Sequence, residues 1–170
     1  MGAPAIIFKM FCVVSAVLGL IVLVMSCIYL VKVAKVDSHT YNDVLSRCDN
    51  KLLPAQEDVC RDQRTRVIGA GFAVFISIIQ IIYAIVSLVG EFDHHNCYGI
   101  AHIIFAIFYF IAFICNAVAD QGFRENKVMG ITIDSEAKDI SIAHATFLFF
   151  NFVFCIASTV VMCVLACAAS

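Results

Sequence analysis

Four long stretches of this chain contain no Asp, Glu, Lys or Arg: Met10–Val31, Val67–Gly90, Tyr98–Ala119 and Ile140–Ser170. Each is long and apolar enough to cross a bilayer. A hydrocarbon core of about 30 Å needs roughly 20 apolar residues in a helix. At ~1.5 Å rise per residue, a run of about 22 residues reaches about 33 Å. A backbone inside lipid must close its own hydrogen bonds, so each run is expected to be helical. The composition agrees, with 62% hydrophobic and 14% charged residues. Soluble domains average roughly 45–50% and ~25%. The sequence therefore predicts an all-α membrane protein. It reads as a single antiparallel four-helix transmembrane domain over residues 1–170, with helices at 10–31, 67–90, 98–119 and 140–168. Neither proline falls within a run, since Pro4 precedes the first and Pro54 lies in the first loop.

The first run is read as a retained helix. It exceeds the ~7–15 residues of a signal-peptide core, and Lys32-Val33-Ala34-Lys35 follows it without a cleavage-type site. Met1-Gly2 does not begin a myristoylation signal, because position 6 is Ile6. By subtraction, Lys32–Arg66 is a long polar loop, Glu91–Cys97 a tight turn and Asp120–Asp139 a second longer loop. Four spans place both termini on one side and the two longer loops on the other. The net charge of −2 gives no footprint for a nucleic-acid partner.

Spacings of 3, 4, 7 and 11 put residues on one helix face. Cys12, Ser15, Gly19 and Ser26 share a face of the first helix. Gly69, Ala73, Gln80, Ala84 and Ser87 share one on the second. His102, Ala106, Tyr109, Asn116 and Asp120 do so on the third, and His144, Asn151, Cys155 and Ser158 on the fourth. Lipid gives helices no hydrophobic reason to associate; small residues permit close approach, and polar side chains bond across the contact. We expect Ser15, Gly19, Gly69, Ala73, Gln80, His102, Asn116, His144 and Asn151 to face inward as packing residues. A pore or substrate path is the competing reading of the same faces. No charged residue falls near a midplane, where ion-coupled transporters carry them. His102 and His144 each stand near the start of oppositely directed helices. They are therefore expected near opposite membrane faces, too far apart to share a haem or metal. Lys9 can snorkel to the interface.

The turn Asp93-His94-His95-Asn96-Cys97 contains zinc-type ligands. They are nearly contiguous and lack the spacing that lets side chains converge. The string resembles the Asp-His-His-Cys motif of protein S-acyltransferases, but Asn96 interrupts it and that family's cysteine-rich domain is missing. A solvated turn is expected, with no catalytic site, metal or cofactor.

Nine cysteines sort into groups. Cys48 and Cys60 are the pair in the long loops, read as a disulfide on an extracytoplasmic face. It would enclose Pro54 and, in the chain-entropy account, contribute about 2–3 kcal/mol. Tyr41, Val44, Leu45, Leu52 and Leu53 would be the loop's apolar contacts. Cys97, Cys163 and Cys167 lie toward the terminus side with Cys12, and these three are candidates for S-acylation if that side is cytosolic. Cys27, Cys115 and Cys155 read as packing residues. Basic charge points the other way. Every Lys and Arg except Lys9 lies on the long-loop side, which the positive-inside rule would place in the cytoplasm. We take the termini as cytosolic on the cysteine sorting and on a resemblance in the later helices.

The stretches GFAVFISIIQIIYAIVSLV, AHIIFAIFYFIAFICNAVADQGF and SIAHATFLFFNFVFCIAS resemble the second to fourth helices of MARVEL-domain proteins of the synaptogyrin type. The third helix ends in a polar step and the fourth opens with an Ala- and Phe-rich run. The likeness spans Gly69–Ser158. The chain departs from it in having no tryptophan, and its first loop lacks the W-x-G-L-W segment of claudins. It also lacks the charged helix residues of the plant Casparian-strip relatives. The resemblance implies cytosolic termini and a non-enzymatic role in organising membranes at vesicles, cell junctions or lipid microdomains. The location would be the plasma membrane or a vesicle membrane. Its partners would be the lipid bilayer and other membrane proteins, reached through helix faces or the first loop, with self-association left open. An accessory subunit of a channel, transporter or junction complex is the alternative; a small pore or membrane enzyme is the third.

Overall fold

The computed structural model describes residues 3–34, 54–90, 95–121 and 135–169. They form four helices: α1 Ala3–Lys32, α2 Pro54–Val89, α3 His95–Ala119 and α4 Ser135–Ala169. Among the described residues there is no strand. Each helix contains a segment long and apolar enough to span a membrane, Pro4–Lys32, Cys60–Val89, Cys97–Ala119 and Ser135–Cys167. The architecture is an all-α, four-helix bundle.

The helices are longer than the charge-free runs. α2 starts at Pro54, so Pro54–Arg66, read from sequence as loop, is helix. Proline suits a helix start because its missing N–H would have had no intrahelical partner there. Polar residues follow, and Thr65 donates its hydroxyl back to the Arg61 carbonyl at 2.8 Å. α4 likewise begins at Ser135, with Glu136 in its first turn, where the helix dipole favours an acid. Lys32 ends α1 and sits 3.4 Å from Glu136. Both side chains are more than half exposed, so this pair contributes little.

Adjacent helices pack in the cyclic order α1–α2–α3–α4. Three apolar clusters stack along the axis. Phe8, Cys12, Tyr98 and Met162 fill the terminus-side end. Val22, Ala73, Phe105, Tyr109, Leu148 and Cys155 belong to the middle. Tyr29, Val33, Ala34 and Ala70 close the loop side. Large aliphatic and phenyl side chains such as Val17, Phe75, Ile82, Phe150 and Val160 point outward. In lipid this outward belt is the ordinary solvent contact of a spanning bundle.

Small residues set the interhelical distances. A Cβ added at Gly69 would lie 2.9 Å from Cys115 Cβ, and one at Gly19 would lie 3.0 Å from Ile81. The Gly69 contact is with a rigid atom near the α3 backbone, so the helices would have to separate. Gly69→Ala is expected to destabilise by about 1–3 kcal/mol despite alanine's better helix propensity. Cys115→Gly, which removes the atom in the way, should recover part of that loss. Thermal unfolding of the two single variants and the double variant in detergent checks this; equal losses from Gly69→Ala in both backgrounds would refute the contact.

Candidate functional site

Polar side chains run through the bundle as a seam, and the nine residues assigned to the inward faces are all buried. Gln80 is the hub at mid-seam. Its amide nitrogen donates to Ser15 Oγ at 3.1 Å, to the Ser15 carbonyl at 3.3 Å and to Asn151 Oδ1 at 3.2 Å. Its carbonyl oxygen accepts from Tyr109 at 2.5 Å and from Asn151 Nδ2 at 3.0 Å. Ser77 shares a hydrogen bond with the Tyr109 hydroxyl at 3.1 Å. One glutamine thus joins all four helices.

Two histidines flank the hub. His102 Nδ1 lies 3.0 Å from the Tyr98 carbonyl, which can only accept, so Nδ1 carries the proton. Nε2 then accepts from the Ser15 hydroxyl at 3.1 Å. His144 has the opposite assignment. Asn116 Nδ2 donates to Nδ1 at 2.9 Å, leaving Nε2–H to donate to Ser26 Oγ at 2.9 Å. Tyr29 stacks on the His144 ring at 4.6 Å. Ser15 and Ser26 stand about three turns apart on α1, roughly 16 Å, so the two imidazoles cannot meet at one metal.

A serine hydroxyl on an imidazole is also the pairing of a nucleophile with its base. Here Ser15, Ser26 and His102 have no exposed surface, and His144 has 1%. Both imidazoles are oriented by amide groups, one by a backbone carbonyl and one by Asn116.

At the loop-side end the seam closes on a buried ion pair. Asp120 follows the last residue of α3 and has no exposed surface. It accepts Arg66 Nε at 2.7 Å and the Tyr29 hydroxyl at 3.0 and 2.8 Å on its two oxygens. The Ser141 hydroxyl also donates to it. Arg66 extends to the Ala119 carbonyl at 2.6 Å and to Gln63 Oε1 at 3.2 Å. Gln63 in turn donates to the Ala34 carbonyl at 2.6 Å. A cation at the C-terminal end of α3 also meets carbonyls that the helix leaves unpaired. The cluster fastens all four helices at one level.

The charge-free runs place Asp120 at a helix end but do not reveal its partners. Arg66, the first charge before the second run, falls in the loop by that rule. Yet Arg66 stands three residues before Gly69, Tyr29 three after Ser26 and Ser141 three before His144. Continuing each inward face by one turn reaches all three. Three buried polar atoms, Tyr98 Oη, Asn116 Oδ1 and Ser158 Oγ, have no hydrogen-bond partner among the described residues.

The cysteines divide by surroundings. Cys155 and Cys12 are buried, and Cys115 is half-buried against α2. Cys27 is exposed on the outer face of α1, so it does not pack inward as expected. Cys97, Cys163 and Cys167 are exposed at the terminus-side end of α3 and α4. Cys48, with the rest of residues 35–53, lies outside the described residues, as do Asp93 and His94 of the turn. Cys60 lies near the start of α2. Among the described residues no three His, Cys, Asp or Glu side chains converge as a metal group.

The four apolar helices and the inward polar seam define a multi-pass integral membrane protein that meets lipid over its outer faces. No family profile, curated protein or solved structure matches the chain.

Proposed function

We propose that this chain is a MARVEL-like, non-enzymatic organiser of membranes, acting at vesicles, junctions or microdomains with both termini in the cytosol. The observation that carries this reading is the use of the polar interior. Gln80, Asn151, Ser15, His102, Ser26 and His144 are spent on bonds between helices. What remains for recognition is the apolar belt and the first loop. Recovery of the native protein from membranes in a mild detergent tests the reading. Several substoichiometric membrane proteins, with lipid retained, are expected; one partner at fixed stoichiometry would mean an accessory subunit instead.

The first loop carries a Cys48–Cys60 disulfide on the extracytoplasmic face in this account. The seven cysteines at 12, 27, 97, 115, 155, 163 and 167 are free, which supports pairing Cys48 with Cys60. Such a bridge belongs to an oxidising compartment. In intact cells, a membrane-impermeant maleimide should label Cys48 and Cys60 only after reduction. Labelling that requires permeabilised cells, for chains already at the surface, would put the loop in the cytosol as the positive-inside rule has it.

A further inference from the structure

We propose that Cys163 is S-acylated and that its acyl chain lies along the outer groove between α3 and α4. The inference rests on the cytosolic termini of the preceding reading. The groove has a volume of about 340 Å³ and is lined by Ile103, Ile107 and Phe110 of α3 and Phe152, Ile156 and Val160 of α4, among others. Cys163 stands seven residues after Ile156 and eleven after Phe152, two and three turns along one face of α4. Its exposed thiol therefore sits in line with the groove wall, at its terminus-side mouth. About three turns, roughly 16 Å, separate Cys163 from Phe152, which is the reach of a long saturated acyl chain.

The depth of Cys163 also fits. Its neighbour Met162 packs with Phe8, Cys12 and Tyr98, and Lys9 follows Phe8 in sequence. A lysine at that level marks the interface, where a charged headgroup can reach water. The thiol thus lies where a cytosolic acyl donor can meet it, while the groove runs inward from it into the hydrocarbon. Cys97 and Cys167 share this end of the bundle but are placed less well. Cys97 is on the neighbouring helix, turned away from the Ile103–Phe110 face, and Cys167, on the same face of α4 as Cys163, is one turn farther from the groove.

The step needs a long-chain acyl thioester of the coenzyme A class. The Cys163 sulfur attacks the acyl carbonyl carbon and a new thioester C–S bond forms. The bond to the coenzyme sulfur breaks, and the coenzyme leaves as a thiol with the proton that Cys163 gives up. One thioester replaces another, and nothing is oxidised or reduced. The chain then covers apolar side chains that otherwise face loose lipid.

The test uses the full-length chain expressed in cells fed a clickable fatty acid that carries a diazirine. Hydroxylamine-sensitive label is expected on the wild type and on the Cys97→Ser and Cys167→Ser variants, with most of it lost in Cys163→Ser. After illumination, crosslinks from the acyl chain should map to 103–110 and 152–160. Label that is unchanged in Cys163→Ser overturns the site, and crosslinks spread evenly over all four helices overturn the seating. Absence of label on chains whose termini are shown to be cytosolic overturns the inference and leaves the organiser reading standing. Extracytoplasmic termini would overturn both the assumed orientation and this inference.

Discussion

Replacing Asp120 by Leu is expected to be the most damaging single change in the bundle, at about 3–5 kcal/mol. The carboxylate is fully buried against Arg66, Tyr29 and Ser141. Taking it away removes the carboxylate that faces the buried Arg66 guanidinium, and breaking a buried ion pair costs more than losing a neutral hydrogen bond. Arg66→Leu should cost a similar amount by stranding Asp120. The double variant is expected to lose clearly less than the sum of the singles, because no lone charge remains. Denaturing-detergent titration followed by circular dichroism measures all three. An Asp120→Leu protein within about 0.5 kcal/mol of wild type, the range of an ordinary surface change, would show that the cluster does not hold the helix ends together.

The second large effect is expected at Gln80. Interhelical hydrogen bonds in membranes average about 0.6 kcal/mol and reach about 1.7. Gln80 serves Ser15, Asn151 and Tyr109 together. Gln80→Leu removes those bonds and leaves the Asn151 amide and the Tyr109 hydroxyl short of partners in a buried place. The sum is about 2–4 kcal/mol, smaller than the ionic case because no net charge is stranded. Phe75→Leu, on the lipid side of the same helix, is the control and should change stability by less than about 0.5 kcal/mol. The same titration decides; equal effects at positions 75 and 80 would contradict the hub.

The spans were legible in the sequence because lipid imposes one rule on every residue, and a run without charge satisfies it visibly. The inward faces were legible for the same reason: Gln80, Asn151, His102 and His144 stand out against Ile, Val, Leu and Phe. The ends were not. A boundary drawn at the first charge assumes that the charge meets water, and Arg66 instead meets Asp120 at 2.7 Å. That pairing joins residues far apart in the chain, and only the folded arrangement of α2 against α3 brings them together. The role of Pro54 as a helix start was hidden too, because a proline reads equally as a turn residue and as a first helical residue. Cys27 shows the limit of residue type as a guide. A small, weakly polar side chain is as much at home against lipid as against a helix, and the spacing alone does not choose.

The central claim is that one polar seam faces inward and the apolar belt faces lipid. Carbene photolabelling with a small membrane-partitioning diazirine tests it most directly, using the full-length protein reconstituted in vesicles and mapped by mass spectrometry. Label is expected on Val17, Phe75, Ile82, Phe150 and Val160, which are all exposed, and not on Ser15, Gln80, His144 or Asn151. Label on both Gln80 and Asn151 would place those side chains in lipid and contradict the bundle.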